Sequence, residues 1–396
     1  MTHTTNKRLL VIAPFCSLPG EAYFNRFLYL AQRAAARCEV TLVTSAFRHF
    51  DKRQRDRRVQ CEGLRLILID EPGYAGNVSL ARLRSHAVFV RHLKQWLQDE
   101  LPRRPFDLVY SALPLLQTNI LLGRLKERHG FRLAIDVQDL WPEAISALLP
   151  WASRLPRPLM PFAAKADRAY GAADHLVAVS RTYLARARQA NRQATGQVVY
   201  IGSDKARIDA VAARALPAGS MHFVYAGTLG HSYDLQTLVD AFAGLAGPRL
   251  PCQLHILGDG PLRARLARRA PPNVHFHGFV PYDEMIAIAK GADCLVNPIK
   301  QAAQQSVTNK LSDYLMLGKP IISSQTNAEV RQLLAQAPAV QYRAGHIASF
   351  HAAVDAVRAL RHDGSVAPAL LRQFDRRLSY AHIDALIDGT PAQEAA

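Results

Sequence analysis

The sequence predicts an α/β protein with two doubly wound domains, and three observations lead to this class. Apolar runs of strand length alternate with segments of helical periodicity over residues 8–201, and the alternation restarts over residues 222–360. Between the two series, residues 204–220 are rich in alanine, arginine, proline and glycine, as a linker would be. The length of 396 residues also exceeds what one hydrophobic core usually supports.

The domain boundaries follow from where the alternation stops and restarts. We expect an N-terminal domain over residues 1–204, a C-terminal domain over residues 205–375, and a final helix within residues 376–396 that crosses back onto the first domain. Strands separated by helices favour a parallel sheet in each domain. Open parallel sheets bind ligands beyond the carboxyl ends of their strands, so we expect the site in loops that follow strands, where the two domains face a common cleft.

The individual elements are read from apolar periodicity. In the first domain the predicted strands are 8–13, 40–44, 64–69, 108–110, 133–137, 175–179 and 198–201, and the predicted helices are 22–37, 80–101 and 116–129. In the second domain the predicted strands are 222–225, 254–257, 274–277, 295–296, 321–323 and 339–342, and the predicted helices are 235–245, 262–267, 283–290, 309–317, 329–334 and 346–360.

The chain is strongly basic, with a formal net charge of +17. This charge favours an anionic partner, and the sequence contains no motif that reads nucleic acid, so we expect an anionic membrane surface instead. No apolar run approaches the roughly 18 residues of a transmembrane helix. Residues 1–8 lack the core of a signal peptide. We therefore expect a protein at the cytoplasmic side of the membrane, attached to its surface.

Cysteine and histidine usage argues against a metal. The five cysteines are scattered without a C-x-x-C pair, which fits a reducing compartment. None of the fifteen histidines shows the H-E-x-x-H spacing of a metal site. We expect no metal and no other bound cofactor.

Residues 305–320 are predicted to form a polar loop that runs into a short helix. Thr308 is a suitable N-cap, and Gly318 followed by Pro320 marks the helix end. Leu311 and Leu315 supply a buried face at helical spacing. An ordinary capped helix with no ligand is the alternative, because such caps are common.

The N-terminus of this helix is the candidate seat of a nucleoside diphosphate. Backbone donors and the helix dipole favour phosphate at such an end. Lys310 adds a mobile cation, and Asp313, one turn further on, can accept hydrogen bonds from the two vicinal hydroxyls of a ribose. The amides that would point at the phosphates are those of Ser306, Val307, Thr308, Asn309 and Lys310.

Two glycine-containing turns precede this helix in the second domain. Gly227 and Thr228 follow its first predicted strand, and Gly258 and Asp259 lie between a strand and a helix. Glycine lets the backbone approach a ligand closely, although tight turns use the same residues. Because both turns come ahead of residues 305–320 in a fixed order, we assign these four residues to the same nucleotide-binding site.

In the first domain, residues 136–143 (DVQDLWPE) end a strand with three carboxylates and an amide beside an aromatic–proline turn. Gln138 or Asp139 is expected to face the cleft and to hold a sugar hydroxyl or a developing charge. The alternatives are that Asp139 caps the following turn and that Trp141 packs in the core without touching a ligand.

Two basic stretches predict an interfacial surface with apolar anchors and a cationic rim. A solvated loop and a core edge are the respective alternatives. The first stretch contains His49, Lys52, Arg53, Arg55, Arg57 and Arg58, and the second interleaves Trp151, Leu155, Leu159, Met160 and Phe162 with Arg154, Arg157 and Lys165.

In their order along the chain, these motifs resemble glycosyltransferases of the GT-B fold, in particular glycosyltransferase family 4. The resemblance spans nearly the whole chain. Residues 43–45 with His49 and Lys52, and residues 139–143, are similar to the branch that acts in bacterial capsule, exopolysaccharide or O-antigen assembly. The motifs of the second domain that are similar to that branch are residues 225–230, 258–261, 274–278 and 309–314.

The resemblance implies a retaining sugar transfer from a UDP or GDP sugar, usually without a bound metal, to a lipid-linked or growing polysaccharide acceptor. The second domain would hold the donor and the first the acceptor. By the same resemblance, the helix-end amides and Lys310 would hold the diphosphate and Asp313 the ribose. Gln138 occupies the position at which many relatives have a histidine near the donor sugar, and Asp139 lies beside it. Lys310, Gln138 and Asp139 are the expected catalytic residues.

The chain departs from the family pattern at three places. The motif of two glutamates eight residues apart reads Gln305 and Asp313, so the first carboxylate is missing. The arginine and lysine that usually follow the first glycine turn are absent, which leaves Lys310 as the expected substitute. The usual Asn-Gly-x-Asp before the linker reads Ile-Gly-Ser-Asp at residues 201–204.

Two other functions stay open at this point. One is a nucleotide-sugar 2-epimerase of similar fold, which would need acid and base groups around the sugar. The other is a non-catalytic scaffold in a polysaccharide complex, which the missing first carboxylate favours.

Overall fold

A computed structural model describes residues 7–21, 26–77, 79–147, 149–247, 251–301 and 307–389. The chain divides into two compact units. Unit 1 comprises Met1–Val199 and Tyr380–Ala396, and unit 2 comprises Tyr200–Ser379. The sequence analysis puts the corresponding boundaries after residues 204 and 375.

Unit 1 is built on a seven-stranded sheet with strand order β5-β2-β1-β6-β7-β8-β9. All neighbouring strands are parallel, and the apolar strands β1 and β6 at the centre are buried along almost their whole length. A short antiparallel hairpin, β3–β4, follows β2. The strands are β1 (Arg8–Ile12), β2 (Glu39–Ser45), β3 (Phe47–Arg48), β4 (Arg53–Gln54), β5 (Arg65–Ile69), β6 (Leu108–Leu113), β7 (Arg132–Val137), β8 (His175–Ala178) and β9 (Thr195–Val198).

Helices cover both faces of this sheet. The helices are α1 (Arg26–Ala35), α2 (Leu80–Arg103), α3 (Leu116–His129), α4 (Ala163–Gly171) and α5 (Arg181–Ala190), with 3-10 turns at Glu143–Ala147, Pro150–Arg154 and Arg157–Leu159. One core holds α2 to α5, and the other holds α1 and the C-terminal residues Tyr380, Ile383 and Ile387.

Beneath the carboxyl end of β7 lies a buried ion pair. Arg26 Nε lies 3.2 Å from Asp136 Oδ2, and the Tyr110 hydroxyl donates to the same oxygen at 2.6 Å. Burial raises the pKa of Asp136, and the Arg26 charge opposes that rise. The pair fixes the strand end from which residues 138–143 depart.

Unit 2 carries a six-stranded parallel sheet with strand order β12-β11-β10-β13-β14-β15. In chain order its elements are α6 (Lys205–Ala210), β10 (Met221–Ala226), α7 (Leu235–Ala241), β11 (Cys252–Leu257), α8 (Arg263–Ala267), β12 (Val274–Gly278), α9 (Tyr282–Gly291), β13 (Cys294–Asn297), α10 (Asn309–Leu317), β14 (Ile321–Ser323), α11 (Ala328–Leu334), β15 (Ala339–Gln341), α12 (Ile347–Ala359), α13 (Pro368–Phe374) and α14 (Arg376–Ser379). The last helix, α15 (Ala381–Asp388), belongs to unit 1.

Most predicted elements appear within a few residues of their expected bounds, and two differ. The strand expected at residues 198–201 lies at Thr195–Val198 instead, where it pairs only with β8. An edge strand tolerates polar residues, so the apolar residues 198–201 did not mark its position. The helix expected at residues 235–245 ends at Ala241 and continues as a 3-10 turn. The start of the helix predicted at residues 22–37 lies outside the described residues.

Candidate functional site

Helix α10 starts where the sequence predicts. Thr308 is its N-cap, with φ −88° and ψ 157°, and Gly318 ends it in the left-handed conformation with φ 65°. Leu311, Tyr314 and Leu315 are buried, which holds the helix against the sheet. The Tyr314 hydroxyl accepts the amide of Ala226 at 2.8 Å and so ties α10 to the carboxyl end of β10.

Thr308 occupies the predicted N-cap position, but its side chain does not cap the helix. Its hydroxyl accepts no capping hydrogen bond, and Oγ1 is buried without a partner among the described residues. The first amides that bond back to a described carbonyl are those of Leu311 and Ser312, both to Thr308. Within the described residues, the amides of Asn309 and Lys310 are therefore left for another acceptor. Ser306 and Gln305 lie outside the described residues.

Lys310 reaches from α10 to the first glycine turn. Its Nζ donates to the Tyr225 hydroxyl at 3.2 Å and lies 4.3 Å from the centre of that ring and 3.7 Å from the centre of the Tyr233 ring. A β-carbon at Gly227 would lie 2.9 Å from this nitrogen, so only glycine leaves room there. No carboxylate among the described residues forms an ion pair with Lys310. Burial lowers the pKa of its ammonium well below the ordinary value.

The two glycine turns pack directly on each other. The Gly227 amide donates to Leu257 O at 2.8 Å, and the Leu229 amide donates to Asp259 O at 2.9 Å. A β-carbon at Gly258, whose φ is +140°, would lie only 2.1 Å from Gly227 O. The structure thus brings the predicted residues Gly227, Thr228, Gly258 and Lys310 to one end of the sheet.

Two predicted donor residues already have partners inside unit 2. Asp313 is buried, and its Oδ1 accepts the Ser203 hydroxyl at 2.5 Å and the Tyr282 hydroxyl at 2.8 Å. Burial raises the pKa of the Asp313 carboxyl, against those two hydrogen bonds. The exposed Asp259 accepts the Gly260 amide at 2.7 Å and pairs with Arg263 at 3.1 Å. Val307 is buried, and Asn309 is exposed.

Two of the three carboxylates of residues 136–143 are held by arginines, and the third has no partner among the described residues. Asp136 is held by Arg26, and Glu143 pairs with Arg186. Asp139 forms no hydrogen bond or ion pair with a described residue. It keeps an exposed surface, yet it lies in a recess where protein displaces water, and this desolvation raises the pKa of its carboxyl while Arg82 opposes the rise.

Two nearby side chains, those of Gln138 and Trp141, differ in how they pack. Gln138 is half-buried; its amide nitrogen has no hydrogen-bond partner within the described residues, although its side chain helps to lower the pKa of Asp136. Trp141 is half-buried and packs on the core, with its ring 6.1 Å from that of Phe162. The packing alternative for Trp141 is therefore the observed arrangement.

In the two basic stretches, several side chains that were predicted at the surface are buried or form ion pairs. Arg55 is buried and pairs with Glu21 at 2.7 Å, and Arg157 pairs with Asp167. Met160 is buried against Ile145 and so belongs to a small core instead of the surface. The apolar side chains that remain largely exposed are Trp151 (53%), Leu159 (69%) and Phe162 (46%).

Sequence reasoning missed several residues that complete these sites. No sequence signal assigns a role to Ser203, Tyr225, Tyr233 or Tyr282, although the first two lie within the motifs at residues 201–204 and 225–230, because each meets Lys310 or Asp313 only through the fold. Across the described part of the chain, no group of three or more metal-binding side chains converges. Within the same residues, no helix is both long and apolar enough to cross a bilayer. All five cysteines are buried, and none of them forms a disulfide bond with another.

Two family models match the chain, and together they cover most of it. The model described as "Glycosyl transferase 4-like domain" matches residues 25–203, and the model described as "Glycosyl transferases group 1" matches residues 220–360. No curated protein matches the sequence.

Solved structures with the same fold cover nearly the entire chain. A sucrose-phosphate synthase from Thermosynechococcus elongatus is 15% identical with a TM-score of 0.68, over 97% of this chain and 98% of that one. Anabaena Alr3699/HepE in complex with UDP is 15% identical with a TM-score of 0.66, over 97% and 100%. The lipopolysaccharide outer core galactosyltransferase WaaB, in its apo form, is 16% identical with a TM-score of 0.63, over 97% and 99%. Another structure of the Anabaena protein holds UDP-glucose.

Proposed function

Because the chain belongs to the glycosyltransferases whose two domains these models describe, we propose that it moves a sugar from a nucleoside-diphosphate sugar to a lipid-linked or growing polysaccharide acceptor. The protein is an enzyme of the GT-B fold, with two Rossmann-like units. The donor base, the acceptor and the stereochemistry are the parts that we propose here.

One observation carries the proposal. At the end of the sheet in unit 2, Lys310, the first two amides of α10 and a glycine turn that excludes side chains converge, and among the described residues neither the lysine has a carboxylate partner nor the amides an acceptor. Such groups favour phosphate, and they also stabilise the negative charge that develops on a leaving nucleoside diphosphate. Lys310 is the cation, and Gly227 is the turn residue against which it lies.

The other site residues take roles around this diphosphate. Asp313 has one oxygen engaged by Ser203 and Tyr282, so its second oxygen is the one assigned to the ribose hydroxyls. Gln138 and Asp139 are assigned to the donor sugar. Donors of the UDP class are favoured because the Anabaena relative is solved with UDP and with UDP-glucose, and a GDP sugar is the other class expected.

The proposed reaction retains the configuration at the anomeric carbon. The bond from that carbon to the phosphate oxygen breaks, and the acceptor hydroxyl oxygen forms a new bond on the same face. The hydroxyl proton passes to the departing phosphate oxygen, so no protein nucleophile and no metal take part. Lys310 stabilises the departing charge, which makes it the residue whose loss lowers the rate most directly.

The acceptor is proposed to be presented at the cytoplasmic face of the membrane. The exposed side chains of Trp151, Leu159 and Phe162 are amphipathic or apolar anchors in a chain with a formal net charge of +17. Apolar anchors together with positive charge are what anionic lipid surfaces attract. Peripheral attachment in surface-polysaccharide synthesis is the setting that these features support.

A donor screen tests the proposal. Thermal shift with UDP, GDP and CMP sugars should single out one class, because a ligand at 100 times its Kd stabilises by about 2.7 kcal/mol. Substituting Lys310→Ala should cut kcat/KM for transfer ten-fold or more, on the order of 1.5 kcal/mol. The matched control is Lys319→Ala, just beyond the opposite end of α10, which should leave both measurements unchanged.

Three outcomes would contradict the proposal. An unchanged rate in Lys310→Ala would remove that residue from the reaction. Release of UDP or GDP that does not require an acceptor, with a 2-epimer as product, would point to the epimerase. Failure of calorimetry to detect any nucleotide sugar would point to the scaffold.

A further inference from the structure

At the carboxyl side of its sheet, unit 1 contains a pair of cations that have no counter-ion among the residues that the structure describes. They belong to a group that lies around the buried ring of Tyr74, between the β3–β4 hairpin and the start of α2. We refer to it as the tyrosine cluster. Its members are His49, Lys52, Tyr74, Arg82 and His86.

Contacts in the tyrosine cluster converge on one ring. Lys52 Nζ lies 4.9 Å and the Arg82 guanidinium carbon 5.6 Å from the centre of the Tyr74 ring. The Tyr74 hydroxyl contacts His49 Nδ1, and His86 Nε2 lies 3.4 Å from the same oxygen. Two cations and two imidazoles therefore share one phenol.

No carboxylate neutralises these cations within the described residues. Lys52 donates to Asn77 Oδ1 at 2.6 Å, and Arg82 donates to the Asn77 carbonyl at 2.6 Å, so both are oriented only by neutral acceptors. Glu71 also acts on Tyr74, but the hydroxyls of Ser45 and Ser85 hold its carboxylate.

Burial and the neighbouring positive charges lower the pKa values of two members of the cluster. Desolvation and the Lys52 and Arg82 charges lower the pKa of His49 to about 4. Desolvation and the Arg82 charge lower the pKa of Lys52 as well. A bound anion would relieve this repulsion, and none of the described residues supplies one.

Exposed apolar side chains border the cluster. Phe50 is 47% exposed on the hairpin, next to His49. Leu80 is 84% and Leu83 61% exposed on the first turn of α2, within two residues of Arg82. Large apolar side chains beside unpaired cations fit an amphiphile whose charged end carries the negative charge.

We propose that the tyrosine cluster binds the diphosphate that joins the acceptor sugar to its lipid. Arg82 offers a planar fork that matches a phosphate group, Lys52 adds a point charge, and the imidazoles can donate to further oxygens. The first isoprene units of the lipid contact Phe50, Leu80 and Leu83. This assignment rests on the proposed function, and it names the chemical class of the acceptor.

The position of the cluster agrees with that role. Arg82 acts electrostatically on Asp139, the carboxylate of unit 1 that we assign to the donor sugar. An acceptor anchored by its diphosphate at Arg82 would therefore have its sugar on the side of unit 1 where Asp139 lies. Arg82 and Lys52 are positioning residues in this assignment, because they do not contact the atoms that react.

Calorimetry with three probes tests the assignment on the full chain saturated with UDP, which keeps diphosphates out of the donor site. Farnesyl diphosphate should bind, inorganic pyrophosphate should bind more weakly, and farnesol should not bind. Lys52→Gln and Arg82→Gln should each weaken farnesyl diphosphate about ten-fold, because a hydrogen bond to a charged group is lost. The control Arg84→Gln, on the exposed side of α2, should bind as the unmodified protein does.

The readouts separate this inference from the proposed function. Farnesyl diphosphate that binds equally well to both variants, or not at all to a protein that binds UDP, would overturn the inference alone. Equal affinity for pyrophosphate and farnesyl diphosphate would keep the diphosphate site and overturn its lipid-linked source. The Kd for UDP should not change in Lys52→Gln, Arg82→Gln or Arg84→Gln, and circular dichroism confirms that each variant is folded.

Discussion

Lys310 is half-buried, and within the described residues aromatic rings contact its ammonium and no carboxylate pairs with it. The faces of Tyr225 and Tyr233 attract an ammonium, but this attraction is weaker than a buried ion pair, so desolvation prevails and lowers its pKa. A phosphate bound beside Nζ would restore the charged form. The residue is therefore suited to a ligand that carries the negative charge with it.

This protonation change gives a prediction at the residue scale. Above the depressed pKa, free Lys310 is neutral, and bound phosphate raises the pKa, so UDP binding should take up a proton and strengthen as the pH falls through that window. Calorimetry of UDP binding in two buffers with different ionisation enthalpies measures the uptake. Lys310→Met keeps the apolar contact with the rings and should abolish it; equal uptake in both proteins would show that the proton goes elsewhere.

The sequence predicts the bounds of α10, on which Lys310 lies, but not the side chains that surround Lys310. An N-cap threonine and a terminal glycine mark the ends of a helix, and α10 lies between them. Tyr225, Ser203 and Tyr282 are far from α10 in the chain, and only the fold brings them to Lys310 and Asp313. The Arg55 ion pair with Glu21 was missed for the same reason, since a basic run gives no sign of burial.

At the scale of elements, the two glycine turns act as one unit. The carboxyl ends of β10 and β11 are adjacent, and the backbone of Gly258 lies against the carbonyl of Gly227. Because Gly227 has no side chain, the Lys310 ammonium can lie against this turn. A side chain at either glycine would therefore displace the turn to which the donor phosphates are assigned.

Substituting Gly258→Ala should disturb both stability and binding. The new β-carbon would clash with Gly227 O at 2.1 Å in addition to the strain of a positive φ. We expect a loss of more than about 2 kcal/mol in the free energy of unfolding by urea and weaker UDP binding by calorimetry. Gly219→Ala is the control, because Gly219 has φ +85° but no atom within 4 Å, so only the smaller backbone cost applies. Equal losses in the two variants would refute the packing argument.

Element prediction succeeded where apolar periodicity was strong and failed at edges. Helix 116–129 was predicted with the bounds that the structure gives it. Strand β9 was predicted three residues too late, because Thr195, Gly196 and Gln197 at this edge of the sheet give no apolar pattern. The hairpin β3–β4, which carries part of the tyrosine cluster, has two-residue strands that no periodicity can reveal.

At the scale of the whole molecule, buried neutral histidines should make stability depend on pH. Burial is the leading cause of the lowered pKa of each: about 4 for His49, about 3 for His86, and about 4 for His175 and His255. In the unfolded chain each titrates near 6.5, so below that pH the unfolded state takes up protons that the folded state cannot. This contribution is fully present above about pH 6.5 and is lost as the pH falls towards 4.

Urea unfolding at pH 8, 6.5 and 5 measures this dependence. Stability should be highest at pH 8, slightly lower at pH 6.5, where the unfolded histidines are half protonated, and clearly lower at pH 5, although the raised pKa values of Asp136 and Asp313 oppose the loss. His255→Gln should reduce the loss, since His255 lies between His222 and His277 in a hydrogen-bonded row. His362→Gln, at an exposed position, should not. A flat profile down to pH 5 would contradict this account, because it would mean that these histidines take up protons as readily in the folded protein as in the unfolded chain.

A crystal structure of the protein with bound UDP tests most directly whether the nucleotide binds at the start of α10. The β-phosphate should lie within hydrogen-bonding distance of Lys310 Nζ and of the Asn309 or Lys310 amide, beside Gly227, with the ribose near Asp313. A nucleotide found elsewhere while this end of the sheet stays unoccupied would contradict this placement.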